Sequence, residues 1–397
     1  MNYKLETKKP HTAILIKLIS LASIGAVLFT PGIPAMVKFF GITEGDAQFA
    51  LTLFLVGYAL GQILYSPFAN RFGRKPTLYI GLVIAIFGSL LSALSSPLHS
   101  YSLLIISRLI TAIGASVGLV LSLTIINDYY YEHQARKVVP IVSTAFAIVP
   151  FIGIAIGGVL VHHFGWASSF YFLVCYYIVV LCFATRLPET GVNLNRKETR
   201  PKVIWSRYKE AFKDPRLVAF SILFGITTGM IYIFAATAPI IAIDTLKLTP
   251  ENYGFINLLI AIFYVAGNLL AAALSKRFSA LKMISGGLVI FGIAFIVLFI
   301  CFASGHITPY TFFIPFIIAY FGYPIAYSNA IVLASNHFED RATGSAVMNF
   351  INMLMPVIGV LIIQTLPGPV TITMPSLMLA LTGIYLLIFI YSKRYVR

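Results

Sequence analysis

Two segments of this 397-residue chain repeat one another without a gap, at an offset of 206 residues (267 minus 61). Gly61–Ile84 reads GQILYSPFANRFGRKPTLYIGLVI, and Gly267–Ile290 reads GNLLAAALSKRFSALKMISGGLVI. Gly61/Gly267, Leu64/Leu270, Arg71/Arg277, Phe72/Phe278, Gly81/Gly287, Leu82/Leu288, Val83/Val289 and Ile84/Ile290 coincide. Chance likeness between apolar helices covers the aliphatic matches. It does not cover an Arg-Phe pair aligned in the same basic turn. A copy at about half the chain length requires two similar halves.

The flanks of that turn say what the halves are made of. Hydrophobic residues make up 59% of the chain, charged residues 10%, and mean hydropathy is +0.91. A soluble domain carries about 25% charged residues, so this is a multi-pass membrane protein. A span needs about 20 mainly apolar residues. That criterion places helices near 12–36, 48–69, 77–96, 101–127, 138–161 and 166–186, then a polar stretch, then helices near 215–241, 252–274, 280–303, 310–334, 341–365 and 370–391. The expected fold is all-α, with twelve transmembrane helices in two pseudo-symmetric halves, 1–186 and 215–397. A basic linker, 187–214, joins them and carries a short surface helix from Trp205 to Phe212. Lys4, Lys8 and Lys9 before the first run imitate a signal peptide, but the run is too long and too many spans follow, so it reads as a retained helix.

Charge orients the spans. With the N-terminus inside, 25 of the 28 Lys and Arg fall on the cytoplasmic side, only Lys38 and Lys247 fall outside, and Arg108 lies within a span. Both termini are therefore expected in the cytoplasm, and the net charge of +15 reflects topology rather than nucleic-acid binding. Cys175, Cys182 and Cys301 lie in apolar runs without metal spacing and read as inert core residues. No nucleophile–base pair, metal cluster or phosphate loop is present in the sequence, which argues against an enzyme, a cofactor or an ATP-driven pump. Prolines at 31, 34, 67, 150, 239, 315, 324 and 356 imply bent spans, which suit a rocking carrier better than a channel.

The residues now resemble those of the major facilitator superfamily, over essentially the whole chain. Ser66–Lys75 is similar to its loop signature G-x-x-x-D-R-x-G-R-K: Arg71, Gly73, Arg74 and Lys75 match, whereas Ser66 replaces the Gly and Asn70 the Asp. Arg108, Thr111 and Gly114 resemble R-x-x-Q-G-x-G. Gly153, Gly157 and Gly158 resemble the antiporter signature G-P-x-x-G-G, with Ile154 where its proline stands and Pro150 one turn earlier. Leu187-Pro-Glu-Thr190 resembles the common end of helix 6. Pro31-Gly-Ile-Pro34, Gln62 to Pro67 and Ala238-Pro239 look most like the bicyclomycin/florfenicol-resistance branch of drug:proton antiporters. The resemblance implies export of a small molecule across a bacterial cytoplasmic membrane by alternating access, as a monomer driven by a proton gradient. The alternative is a carrier of a neutral, zwitterionic or anionic metabolite or siderophore. In the family the loop acid pairs with the Arg at position 74 and faces the start of helix 11, forming a cytoplasmic latch. Here Asn70 carries no charge, Asp128 becomes the anion for Arg74 or Arg71, and the resting population should lean inward-open.

The remaining polar residues define the expected cavity. All 13 acids and all seven histidines fall at helix ends or in loops. The branch usually carries an acid in helix 1 before its first proline, and Val27 stands there. Arg108 is the one ionisable group well inside a span, on a small polar face with Thr111, Ala115 and Ser122. Such a residue is a functional candidate, and the alternative is that it caps backbone carbonyls of a bent helix 1. One buried positive charge and no buried negative one argue against a bare lipophilic cation as substrate. Thr227, Thr228 and Tyr232, Asn257, Tyr264 and Asn268, Tyr320, Tyr323 and Tyr327, and Asn349 and Asn352 form stripes on four further helices. Buried hydroxyl and amide groups need partners, so the stripes should face inward, either lining an aromatic cavity or joining helices.

Overall fold

The computed structural model describes residues 11–130, 132–191, 208–335 and 341–396, and every regular element among them is helical. Ten of the described helices are long and apolar enough to cross a membrane, and two shorter apolar helices, Ile148–Phe164 and Ser168–Ala184, accompany them. Of the expected linker helix, residues 208–213 are helical, while Trp205 and the rest of 192–207 lie outside the described residues, as do Lys4, Lys8 and Lys9.

The chain forms two compact units. The first comprises Met1–Thr30 and Ala50–Trp205. It holds α1 (Thr12–Val27), most of α3 (Glu44–Phe72), α4 (Arg74–Leu94), α5 (Tyr101–Ala115), α6 (Val117–Tyr129), α7 (Glu132–Phe164) and α8 (Ser168–Ala184). α4 packs chiefly on α5 and α8, and α1 on α7. The second unit comprises Pro31–Phe49 and Ser206–Arg397. It holds α2 (Ile33–Phe40), α9 (Pro215–Pro239), α10 (Pro250–Leu274), α11 (Ala280–Ala303), α12 (Pro309–Ser335), α13 (Arg341–Thr365) and α14 (Val370–Ser392). There α11 lies along α12 and α9 along α13. The units differ from the sequence halves in one place, since residues 31–49 join the second unit. The reason is local: Lys38 pairs with Asp244 at 3.0 Å, and a Cβ at Gly45 would lie 3.1 Å from the Gln364 carbonyl oxygen.

The repeated glycines do the same job in each unit. Gly61 and Gly81 bring α3 and α4 onto the fourth apolar run, where a side chain would strike Ser116 and Val117. Gly267 and Gly287 bring α10 and α11 onto α12 at Phe321 and Ala326. Small residues allow this backbone approach where lipid supplies no hydrophobic drive. The paired Val83 and Val289 are both more than half exposed, as residues on a lipid-facing surface are.

Several helix ends are set by polar caps that hydropathy does not register. α3 begins at Glu44 because Thr43 and Asp46 cap one another: Asp46 N–H donates to Thr43 Oγ1 at 3.1 Å, and Thr43 N–H to Asp46 Oδ2 at 3.2 Å. α9 begins where Asp214 accepts from the N–H groups of Arg216 and Leu217, and α10 where Thr249 accepts from Asn252. The first apolar run is broken after Val27. A 3-10 turn, Thr30–Gly32, separates α1 from α2. Pro31 has no N–H for the Val27 carbonyl four residues earlier, and the Thr30 hydroxyl takes that carbonyl instead at 2.8 Å. α9 ends similarly, at Pro239, and continues as a π-helical segment, Ile240–Thr245, that carries Asp244.

Candidate transport site

In the first unit the break after Val27 leaves the Gly25 carbonyl available, and Arg108 Nη2 donates to it at 2.6 Å. Arg108 is completely buried. Its guanidinium lies 4.3 Å from the Phe54 ring centre, 4.4 Å from that of Phe29 and 5.7 Å from that of Phe170. Cation–π attraction is strongest when the ion is desolvated, as here. Among the described residues its Nε and Nη1 have no protein partner, and no carboxylate contacts it. Tyr177 donates its hydroxyl to the Leu21 carbonyl at 3.1 Å, and it sits where a Cβ on Gly25 would fall.

The other residues of that polar face join helices. Thr111 donates to the Ser107 carbonyl at 2.8 Å and packs on Gly88. Ser122 donates to the Leu15 carbonyl at 3.3 Å, tying α6 to α1. The glycines of the antiporter-like signature meet the same break. A Cβ on Gly157 would collide with the Leu28 carbonyl oxygen, and one on Gly153 would lie 3.3 Å from Val27 Cγ2. Gly158 is buried beside them in sequence.

In the second unit a polar cluster joins four helices. Tyr264 of α10 donates its hydroxyl to that of Tyr327 on α12 at 3.0 Å, and Tyr327 donates to Asn268 Oδ1 at 3.4 Å. The Tyr264 and Tyr327 rings stack, and Phe224 of α9 stacks on the other side of Tyr327 at 5.7 Å. One turn further along α9, Thr228 donates to Asn352 Oδ1 of α13 at 2.6 Å. Tyr320 links this cluster to Phe234, with centroids 5.6 Å apart. Tyr323 instead packs on Phe291 at 5.5 Å, in the contact between α11 and α12. Thr227 donates within its own helix to the Phe224 carbonyl at 2.7 Å, Tyr232 is buried, and Asn349 is half-buried. Asn257 is fully buried and donates to the Tyr253 carbonyl at 2.8 Å. The sequence stripes thus contain the cluster, but Phe224 carries no signal in an apolar helix, nor do the three phenylalanines around Arg108.

The basic turn forms a network within the first unit. Gly73 has φ +97°, a conformation that suits glycine and ends α3 against α4. Arg74 Nε donates to Asp128 Oδ2 at 2.8 Å and its Nη1 donates to the Ala69 carbonyl at 3.0 Å. Thr190 donates to the same Asp128 oxygen at 3.0 Å. Glu189 accepts from the N–H groups of Arg74 and Lys75, both at 2.9 Å, and so caps α4. Asn70 is half-buried, and the exposed Arg71 lies over the Phe72 ring at 5.0 Å. Leu187-Pro-Glu-Thr190 marks Glu189 in the sequence, but no sequence signal ties it to the start of α4. Cys175 and Cys182, read as core, lie on exposed faces of α8. A membrane helix is apolar on its lipid side too, so hydropathy cannot tell the two sides apart.

A two-unit helical protein with a broken first span and interior polar clusters is built as a membrane transporter. The chain belongs to the Major Facilitator Superfamily, whose family model matches residues 18–360. It is 27% identical over 269 residues to an uncharacterized transporter of Rickettsia bellii (strain RML369-C), covering 66% of this chain and 64% of the relative. It is 25% identical over 263 residues to the bicyclomycin resistance protein homolog of Haemophilus influenzae (strain ATCC 51907 / DSM 11121 / KW20 / Rd), covering 65% and 63%. The matched stretch therefore spans just under two thirds of these relatives. The fold matches the crystal structure of D-xylose-proton symporter with a TM-score of 0.73 at 16% identity, over 94% of this chain and 96% of that one. A further relative is the chloramphenicol resistance protein of Pseudomonas aeruginosa, 29% identical over 221 residues, covering 55% of this chain and 51% of the relative.

Proposed function

We propose that the chain is a twelve-span carrier that exports a small organic molecule across the bacterial cytoplasmic membrane by alternating access. Proton entry drives the export, both termini face the cytoplasm, and the carrier works as a monomer without a bound cofactor. The observation that supports this most is the discontinuity of the first span beside a fully buried Arg108. Interrupted helices whose freed backbone groups meet an interior charge are where secondary carriers bind their cargo. The Tyr264–Tyr327–Asn268 and Thr228–Asn352 groups supply the hydroxyls and amides that would orient an amphiphilic molecule among aromatic rings. A resistance-type relative favours export.

A second reading, carriage of a neutral, zwitterionic or anionic metabolite by symport or uniport, is favoured by Val27, where the resembling branch carries an acid. Accumulation assays separate the two. Cells expressing the chain should hold less of an exported amphiphilic antibiotic, and a protonophore should abolish the difference. Unchanged accumulation across a panel of such compounds would favour metabolite carriage.

A further inference from the structure

We propose that Arg108 receives a carboxylate of the transported molecule, which enters at the break in the first span. This deepens the export reading and rests on it for the identity of the ligand, although binding itself can be read without transport.

The Arg108 guanidinium carries five N–H groups in a planar fork whose two-donor edges match a carboxylate. Nη2 donates one hydrogen to Gly25 at 2.6 Å, while Nε and Nη1 have no protein partner among the described residues. Nη2 has a second hydrogen and shares one edge with Nε and the other with Nη1. Whichever edge Gly25 occupies, the opposite edge presents two free donors. A group that only pinned the Gly25 carbonyl would need one N–H, and a neutral side chain would serve without placing a charge in the interior.

The surroundings fit a ligand that is anionic and otherwise apolar. Phe29 and Phe54 lie within 4.4 Å of the guanidinium carbon, and Phe170 closes a third side. These rings stabilise the cation without neutralising it, and each offers a face to a hydrocarbon or aryl body. Val27, where the resembling branch carries an acid, ends α1 and brings the guanidinium no charge. Access is provided by the break. Phe29 lies between the last residue of α1 and the turn Thr30–Gly32, outside both helices. Its ring is fully buried there, outside the regular ladder of either helix, so a ligand reaches Arg108 when that ring swings aside. Gly153 and Gly157 of α7 back onto the same two residues, Val27 and Leu28, so the break is held against a second helix while its aromatic residue moves.

The test uses the purified full chain in detergent with Trp205→Phe. This leaves Trp166, whose ring centre is 6.1 Å from that of Phe170, as the fluorescent reporter. Sodium benzoate and benzamide are titrated in parallel, because they share size and ring and differ in charge. Benzoate should bind about tenfold or more tightly than benzamide, the range of a charge-assisted pair. Arg108→Gln should bring the two to within about twofold, and Arg108→Lys, which keeps the charge but loses the fork, should fall between. Val27→Glu keeps Arg108 and supplies an internal carboxylate, so it should also remove the preference, and it serves if Arg108→Gln fails to fold. Equal binding of the two compounds, no response to benzoate, or a preference that survives both Arg108→Gln and Val27→Glu would overturn the proposal. Benzoate bound at Arg108 but not carried by vesicles would contradict export while leaving the site intact. Export of uncharged compounds without a benzoate preference would do the reverse.

Discussion

Arg74 and Asp128 form a bidentate pair, Nε to Oδ2 at 2.8 Å and Nη2 to Oδ1 at 3.4 Å, and the pair is mostly shielded from solvent. Thr190 shares the same carboxylate. Asp128 thus supplies the anion for Arg74. An exposed pair contributes about 1 kcal/mol or less, and shielding raises the cost of removing one partner, because the other charge is left unpaired away from water. Asp128→Asn should lower stability by about 1–2 kcal/mol, read as a fall in melting temperature in detergent. Asn70→Asp, which restores the family's acid, should move the resting population outward-open by about 1 kcal/mol. Spin-label distances check this, and unchanged populations would leave Asp128 as the sole partner that matters.

Glu189 holds the start of α4 from the end of α8, accepting from Arg74, Lys75 and Gly191 N–H groups at 2.8–2.9 Å. Charged acceptors at a helix N-terminus act on both the free donors and the helix dipole. Glu189→Ala should cost about 1–2 kcal/mol, and Glu189→Gln less, because its amide oxygen still accepts. Thermal unfolding of the two variants should rank them in that order.

The two glycines at the break should respond differently to one methyl group. At Gly157 the added carbon meets the Leu28 carbonyl oxygen, which is backbone and cannot give way. At Gly153 it meets the end of the Val27 side chain at 3.3 Å. Gly157→Ala should cost about 2 kcal/mol or more by overpacking and reduce folded yield. Gly153→Ala should be nearly neutral. Equal behaviour in a thermal-shift assay would contradict the packing described for α7 on α1.

Tyr327 stands between Tyr264, which donates to it, and Asn268, to which it donates. Tyr327→Phe removes the hydroxyl that both neighbours bond, whereas Tyr264→Phe removes one donor and leaves Tyr327 bonded to Asn268. The former should cost about 1–3 kcal/mol of binding, seen as an increase of about tenfold in KM for the transported compound, with folded yield retained. Tyr264→Phe should cost less than half as much.

The all-helical fold and several interior polar residues were legible in the sequence, for identifiable reasons. The 206-residue repeat was legible because Gly61, Gly81, Gly267 and Gly287 each sit where a neighbouring helix passes too close for a side chain. Arg108 was legible because a charge in an apolar run is rare. Its aromatic cage was not, since Phe29, Phe54 and Phe170 are three among 32 phenylalanines and only the fold brings them together. The helix starts at Glu44 and Arg74 were displaced in the hydropathy reading because caps made by Asp46 and Glu189 are polar. Cys175 and Cys182 show the complementary blind spot, since apolar residues face lipid as well as the core.

Flux in proteoliposomes tests whether carriage is coupled to protons. Purified chain is reconstituted and uptake of an amphiphilic carboxylate is followed with and without an imposed pH gradient. Saturable uptake is expected into vesicles with an acidic lumen, at least several-fold faster than without the gradient and lost in Arg108→Gln. Saturable uptake at the same rate whether or not the gradient is imposed would contradict proton-driven export, and no uptake above protein-free vesicles would contradict carriage itself.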